Sequence, residues 1–261
     1  MPTDSPADST VAAERRADLE RRLAAVNERI AGATRAAALD RSPELIVVTK
    51  YFPAADVRAL HELGIRQVGE NRDQEAGAKA AELADLDLAW HFIGQLQGNK
   101  AKSVVRYATA VHSLDRPSLV TALGKAMRRE NELREQAGRG QRAPLATLIQ
   151  VDLRDEAQRA GNDGGVGRGG AAPADVQQLA DLVAEADGLE LAGVMAVAPL
   201  GADPAPAFER LAAIAADLRA NHPGATWISA GMSHDLEQAI AAGATHLRVG
   251  SDVLGPRPPV L

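Results

Sequence analysis

The chain alternates eight times between a short apolar segment and an amphipathic helical pattern, and this alternation constrains the fold more than any other feature. The segments are rich in Val, Ile and Leu, as is typical of parallel strands that are buried on both faces. Eight such units in 261 residues predict a closed (β/α)8 TIM barrel in a single domain, since open sheets usually have fewer strands. The predicted strands cover 45–50, 67–69, 88–94, 110–114, 145–152, 189–197, 226–230 and 246–250.

The helical segments carry recognisable start and stop signals. The segment AADVRALHELG closes at Gly64, and a second helix opens at Pro173 and closes at Gly188. A third opens at Ser233, as its N-cap, and closes at Gly243. These signals place a helix after each of the strands concerned and support the barrel.

The amino-terminal region predicts one helix more than the barrel requires. Within residues 11–38, apolar side chains recur on one helical face at Leu19, Leu23, Val26 and Ile30. Residues 1–10 are polar and are expected to form a flexible tail. Residues 11–261 are therefore expected to form one barrel domain.

Composition excludes several classes of protein. The net charge of -6 and pI near 5.6 argue against nucleic-acid binding, which normally needs a basic face. The chain has no cysteine, and its six histidines show no metal-ligand spacing, so no metal site is expected. No signal peptide and no membrane-length apolar segment is evident. We expect a cytoplasmic protein that binds neither membranes nor nucleic acid.

The first predicted strand, LIVVTK, ends in a lysine, Lys50. Ligands of α/β folds collect at the carboxyl ends of strands, so Lys50 is a candidate for an amine that reacts with a carbonyl group. Partial burial there would raise the fraction of free amine. The alternative is a lysine that extends into solvent as the strand ends.

The last two strands are followed by loops that suit an anion. In barrels these two loops frequently bind phosphate. ISAGMSHD offers Gly231 for a tight turn and the hydroxyl of Ser233, and RVGSDVLG offers unhindered amides at Gly250 and Ser251. Arg248 lies within the last strand, where a buried guanidinium needs a partner.

Lys50 and these loops together suggest one ligand. A closed barrel places its first strand beside its eighth, so a molecule with an aldehyde at one end and a phosphate at the other could reach both. Pyridoxal 5′-phosphate (PLP) has that form. A barrel that uses a lysine imine without any cofactor is the alternative that the residues leave open.

Several motifs resemble those of the pyridoxal phosphate homeostasis proteins, the YggS/PROSC family, from about residue 10 to the end. They are VVTKYFP, VGENRDQE, WHFIGQLQGNK, VHSLDR, GVMAVAP and AGMSHDLEQAIAAGATHLRVGSDVLGPR. The resemblance implies the fold-type III barrel of alanine racemase, with PLP as the cofactor. Two departures are that the family often has Thr where Ser251 stands, and that its glycine-rich insertion is usually shorter.

The resemblance also implies roles for individual residues. Lys50 would carry PLP as a Schiff base and Arg248 would lie near the pyridine nitrogen. The phosphate would be held by the amides of Gly250 and Ser251 and the hydroxyl of Ser233. Met232 would contact the ligand through its backbone or by packing, and Asn71 and His91 would line the pocket.

The family resemblance favours a PLP carrier over an enzyme. Arg248 beside the pyridine nitrogen would disfavour its protonation, which makes the ring a weaker electron sink. We expect a monomer that delivers PLP within the cell, with apo PLP-dependent enzymes as possible recipients. The alternative is a PLP-dependent amino-acid racemase or lyase, for which Tyr51 is the candidate proton donor.

Two features are left without an assigned role. The glycine-rich segment 154–173 lacks the end of a phosphate-binding P-loop and predicts a mobile loop after the fifth strand. Lys100 and Lys102 could serve as a second PLP attachment site during transfer, or could simply be solvated at a helix start.

Overall fold

The computed structural model describes residues 6–154 and 169–257, and its centre is a closed barrel of eight parallel strands. Each strand pairs with the next, and β8 pairs with β1, so the predicted (β/α)8 TIM barrel is confirmed. The strands are β1 Glu44–Val48, β2 Gln67–Glu70, β3 Ala89–Phe92, β4 Ala110–Leu114, β5 Leu145–Gln150, β6 Leu189–Met195, β7 Trp227–Ser229 and β8 His246–Val249.

Helices surround the barrel and bury its outer face. Their apolar sides join the outward-facing Val, Ile and Leu side chains of the strands in one continuous core. The helices are α1 Pro6–Ala36, α2 Ala54–Glu62, α3 Asp73–Glu82, α4 Ala101–Val104, α5 Pro117–Gln136, α6 Val176–Ala184, α7 Ala205–Asn221, α8 Leu236–Ala241 and α9 Ser251–Leu254. Short 3-10 helices precede α4 and α6, at Gly98–Lys100 and Pro173–Asp175. Within the described residues, no helix is both long and apolar enough to span a membrane.

Helix α1 is the additional amino-terminal helix that the sequence predicts. Its apolar face is buried, and the helix packs across α2, α8 and α9. It begins at Pro6, five residues before the predicted start. The expected tail, 1–10, therefore overlaps the first turn of α1, and residues 1–5 lie outside the described part of the chain.

The predicted stops of α2 and α8 are confirmed, but the predicted start of α8 is wrong. Gly64 and Gly243 follow the two helices with φ of +94° and +86°, the left-handed conformation that ends a helix. Ser233 is not an N-cap, because α8 begins at Leu236 and Asp235 occupies the cap position. The N–H of Met232 donates to the Asp235 carboxylate at 2.6 Å, which holds the preceding residues in a turn.

The seam between β1 and β8 decides where the candidate site lies. Four residue pairs are in register across it, from Glu44 opposite His246 to Val47 opposite Val249. Because the two strands are parallel neighbours, Lys50 and Ser251, which follow them, lie on the same rim of the barrel. This register places Lys50 beside the loop after β8, as closure of the barrel predicts, and anion binding by the loops stays a prediction.

The glycine-rich segment is described only at its ends. Residues 155–168 lie outside the described part of the chain, so the prediction of a mobile loop at 154–173 is not tested. After this gap Ala171 pairs with Val151, just past β5. The segment therefore leaves and rejoins the barrel on the carboxyl side of β5.

Candidate functional site

The rim beside Lys50 is shaped by close contact between the ends of β1 and β8. A Cβ atom on Gly250 would lie 3.2 Å from the carbonyl oxygen of Val48, closer than most such contacts. Glycine at this position therefore lets the loop after β8 pass next to β1. Since alternate residues of a strand face opposite sides, Lys50 continues the inward-facing series of Ile46 and Val48.

Two serine hydroxyls converge beside this contact. The Oγ atoms of Ser233 and Ser251 lie 3.1 Å apart, although the two residues belong to different loops. Ser233 is buried and Ser251 is exposed, so the pair reaches from the interior to solvent. Helix α9 begins at Ser251, and the first N–H groups of a helix have no acceptor within it. We call Ser233, Gly250 and Ser251 the hydroxyl socket.

The loop after β7 needs a glycine to form this socket. Gly231 has φ of +88°, and a Cβ atom there would lie 2.7 Å from the Cβ of Ala239 and 2.9 Å from Leu247. A larger residue would therefore strain the backbone and collide with α8 and β8. The prediction of a tight turn at Gly231 is confirmed.

The amine of Lys50 has no carboxylate partner among the residues that the structure describes. Its Nζ atom lies 5.8 Å from the centre of the Tyr51 ring. The same ring contacts the guanidinium groups of Arg257, at 3.8 Å, and Arg72, at 5.3 Å. Three cations thus surround one aromatic ring at the rim, which favours an anionic ligand there.

Tyr51 adopts a backbone conformation that is unusual for a large residue. Its φ is +72°, in the left-handed region that side chains with a Cβ atom rarely occupy. Such strain costs on the order of 1–3 kcal/mol and is commonly found at functional sites. It turns the chain directly after Lys50. The ring of Tyr51, which the sequence leaves as a candidate proton donor, lies against Arg257 in the structure.

Arg248 lies inside the barrel, one register position below the rim, and its predicted need for partners is met by neutral groups. It donates to Ser229 Oγ at 2.6 Å and to the carbonyl oxygen of Ala196 at 2.8 Å. Burial lowers the pKa of Arg248 to about 10, while the charge of Asp235 acts in the opposite direction. A buried guanidinium without a paired carboxylate is rare, and it attracts polar or anionic groups placed above it.

A chain of hydrogen bonds continues from Arg248 across the barrel interior. Ser229 Oγ contacts His112 Nδ1 at 2.9 Å, His112 Nε2 contacts His91 Nδ1 at 2.9 Å, and His91 Nε2 contacts Gln67 Oε1 at 2.6 Å. Arg248 can only donate and Gln67 Oε1 can only accept. With both histidines neutral, every proton in the chain can therefore point from Arg248 towards Gln67.

Burial keeps these histidines neutral. It lowers the pKa of His91 to about 3 and that of His112 well below its usual value. His246, stacked on Trp227 with ring centres 4.1 Å apart, has a pKa lowered to about 4 for the same reason. The described interior is therefore polar, and the buried guanidinium of Arg248 contributes a positive charge there.

Asn71 and Met232 lie at the rim and differ in whether their polar groups already have hydrogen-bond partners. Asn71 follows β2, and its buried Oδ1 atom has no hydrogen-bond partner in the described part of the chain. An unpaired buried carbonyl is costly, so this atom suits a donor on a ligand. Met232 is 36% exposed, and its N–H is already used by Asp235, which leaves only its side chain for contact.

The structure brings most of the predicted site residues together, and His91 is the clearest exception. Lys50, Gly250, Ser251 and Ser233 share one rim, with Arg248 directly below. His91 is 2% exposed and both of its ring nitrogens are bonded inside the barrel, so it reaches the rim only through other residues.

Other members of the site were missed by sequence reasoning. His112 lies in the motif VHSLDR and Ser229 in the predicted strand 226–230, and their inward position follows from the alternation of residues in β4 and β7. Arg29 of α1, which contacts the loop carrying Ser233, gives no local signal in the sequence.

Comparison with known proteins identifies the class of the barrel. The family described as alanine racemase, N-terminal domain, matches residues 22–258. This is the barrel class that the parallel strands and the rim lysine define. The pyridoxal phosphate homeostasis protein of Mycobacterium tuberculosis is 42% identical over 96% of this chain and 97% of its own length. The Escherichia coli protein of the same name is 34% identical over 92% and 97%. The chain belongs to the family of pyridoxal phosphate homeostasis proteins.

A solved structure is similar to the chain over most of its length. PipY of Synechococcus elongatus, determined with PLP bound, is 32% identical to this chain. The match covers 91% of this chain and all of PipY, with a TM-score of 0.73. The resemblance inferred from the motifs is thus confirmed over nearly the whole barrel.

Proposed function

We propose that this protein binds PLP at the rim and takes part in intracellular PLP homeostasis. The observation that carries the proposal is the placement of an amine without a carboxylate partner, Lys50, on the same rim as the hydroxyl socket. Relatives named pyridoxal phosphate homeostasis protein and a PLP-bound PipY structure support it. PLP supplies an aldehyde for an amine and a phosphate for hydroxyl and amide donors, so the residues present fit it.

Each residue at the rim has a distinct role in this proposal. Lys50 would hold PLP through its amine, and PLP would supply the aldehyde with which an amine reacts. The hydroxyl socket donates to the phosphate oxygens. Arg248, which donates to Ser229, would lie near the pyridine nitrogen, and Asn71 Oδ1 would accept from a donor on the ligand.

The arrangement favours storage and delivery over catalysis. Arg248 keeps its proton at neutral pH, since its pKa is about 10, and therefore opposes protonation of the pyridine nitrogen. Tyr51 packs against Arg257 and is not paired with a base in the described residues. We propose apo PLP-dependent enzymes as recipients, and a cytoplasmic monomer as the carrier.

An amino-acid racemase or lyase is the second candidate, because the family match is to the barrel domain of alanine racemase. Turnover separates the two candidates. The PLP-loaded protein is mixed either with amino acids or with an apo PLP-dependent enzyme. Activation of the apo-enzyme without racemisation or cleavage of any amino acid supports the carrier, and sustained turnover supports the enzyme.

The variant Lys50→Ala tests the proposed attachment. We expect the visible absorbance band of the imine to be lost completely, with the circular dichroism spectrum unchanged, because only the amine is removed. Lys125→Ala, which changes an exposed lysine of α5, serves as the control and should keep the band. A full band in Lys50→Ala would refute the assignment of Lys50.

A further inference from the structure

Arg29, on the additional helix α1, contacts both loops of the hydroxyl socket from behind. Its Nε and Nη2 atoms donate to the two carboxylate oxygens of Glu237, on α8, at 2.8 and 3.1 Å. Nη2 also donates to the carbonyl oxygen of Ser233 at 2.9 Å. Nη1 donates to the carboxylate of Asp252, on α9, at 2.6 Å. One guanidinium therefore binds three groups on two separate segments, the loop and helix that follow β7 and the helix that follows β8.

These contacts lie where the sheet no longer holds the two loops together. The described backbone bonds between β7 and β8 end where the N–H of Arg248 donates to the carbonyl oxygen of Gly231, at 2.9 Å. Beyond that point the described links between the loops are the contact of the two socket hydroxyls and the guanidinium of Arg29. The spacing of the socket therefore depends on side chains.

Arg29 contacts one residue of the socket, Ser233, and the neighbour of another, Ser251. The carbonyl oxygen of Ser233 accepts from Arg29, and the hydroxyl of Ser233 contacts the hydroxyl of Ser251. Asp252, the next residue after Ser251, gives its carboxylate to the same guanidinium. A shift of Arg29 would thus change the distance between the two hydroxyls that are proposed to receive the phosphate.

The charge of Arg29 is already compensated. It lies between two carboxylates, and its hydrogen bond lowers the pKa of Glu237, which keeps that carboxyl ionised. The guanidinium therefore adds little attraction for an anion. Its planar fork, which a lysine lacks, is the property that lets it bind three acceptors in fixed directions.

We propose that Arg29 is a positioning residue that sets the spacing of the hydroxyl socket and thereby the affinity for the phosphate of the ligand. The inference rests on the proposed PLP function and deepens it. It also assigns a role to α1, which a (β/α)8 barrel does not need for closure. Helix α1 acts as a brace across the two loops.

The test compares two aldehydes in the full-length protein. PLP and pyridoxal both offer the aldehyde to Lys50, but only PLP carries the phosphate. We expect Arg29→Gln to weaken PLP binding about tenfold, as is typical when a supporting partner of a binding group is lost, and to leave pyridoxal binding within about twofold. Affinities are measured from the imine absorbance at equilibrium.

Arg15 offers a matched control on the same helix. It donates to both carboxylate oxygens of Asp56 and to the carbonyl oxygen of Leu254, so it has the same type of contacts but meets α9 at the end opposite Ser251. Arg15→Gln should lose a similar amount of stability and bind PLP like the wild type. Arg29→Lys keeps the charge and the hydrocarbon stem, and we expect it to bind PLP less tightly than the wild type because the fork is lost.

Two results would overturn the proposal. One is unchanged PLP affinity in both Arg29 variants, and the other is an equal loss for PLP and pyridoxal, which would indicate general destabilisation. If Arg29→Gln does not fold, the Arg29→Lys result decides, with recovery of wild-type PLP affinity counting against the proposal. Failure of the wild type to form an imine with PLP would instead refute the proposed function, so the two failures are distinguishable.

Discussion

The cations on the two faces of the sheet near the end of β1 have different partners. On the outer face, Lys79 of α3 donates to Glu70 Oε1 at 2.7 Å and to the carbonyl oxygen of Thr49 at 2.8 Å, and Glu70 is 1% exposed. On the inner face, Lys50 contacts no carboxylate in the described residues, and the acceptors bonded to Arg248 are both neutral.

The difference suggests that the paired cation, Lys79, supports the fold, and that the cations without a carboxylate, Lys50 and Arg248, are available to a ligand. When a buried cation is matched by a carboxylate, removal of either partner destabilises the fold, because the other charge is left buried and unpaired. A cation without such a match is available to an anionic or electrophilic ligand. Thr49 and Lys50 are consecutive residues, so one step along the chain leads from the ion pair of Lys79 and Glu70 to the proposed attachment site.

We expect acid to lower the free energy of unfolding through the buried histidines of the barrel interior. The folded pKa values of His91 and His246, about 3 and 4, lie below the ordinary value of 6.5. The unfolded chain therefore binds more protons than the folded one as the pH falls below about 6.5, and stability is lost down to the folded values. We expect a loss of about 4 kcal/mol from these two residues between pH 7 and pH 5. Urea unfolding at the two pH values measures it.

A variant of one buried histidine identifies the source of this loss. His246→Phe keeps an aromatic ring against Trp227 and should reduce the pH dependence by about 2 kcal/mol. The same pH dependence in His246→Phe and the wild type would show that the buried imidazole is not responsible.

Breaking the outer ion pair should affect stability and leave the ligand in place. Lys79→Met leaves the buried carboxylate of Glu70 without its counter-charge, and we expect it to lower the free energy of unfolding by about 3 kcal/mol. Lys79→Met combined with Glu70→Gln should recover most of that loss, since no charge is then left unpaired. If the double variant binds no PLP, the outer face is part of the binding site and the distinction fails.

Breaking the inner chain should affect both stability and the ligand. Ser229→Ala removes the hydroxyl that links Arg248 to His112 and leaves polar groups of both without a partner, at a cost of about 2 kcal/mol. We also expect the absorbance maximum of bound PLP to shift, because Arg248 is no longer held from below. Thr147→Val, which removes a hydroxyl bonded to the carbonyl oxygen of Glu190, should change stability only. Identical spectra in all three proteins would argue against contact between Arg248 and the ring.

Local patterns were sufficient to predict the barrel, because each strand and helix is encoded by its own short segment. Even the three-residue strand β7 lies within its predicted range, 226–230. The seam between β1 and β8 then follows from closure, and with it the neighbourhood of Lys50 and Ser251. This part of the site is a consequence of topology.

Longer-range contacts were not predictable in the same way. The start of α8 was misplaced because the carboxylate of Asp235 accepts from the N–H of Met232, which holds the residues before the helix in a turn. The deep position of His91 depends on partners 21 and 24 residues away, and Arg29 reaches acceptors more than 200 residues away. The periodicity of residues within one segment cannot predict contacts between residues that are so far apart in the sequence.

The most direct test of the account asks which of the two faces supplies the amine. The purified protein is loaded with PLP, reduced with borohydride, and digested for peptide mass mapping. The account predicts one pyridoxyl group per chain, on Lys50. A label on Lys79 or on another lysine, with Lys50 unmodified, would contradict it.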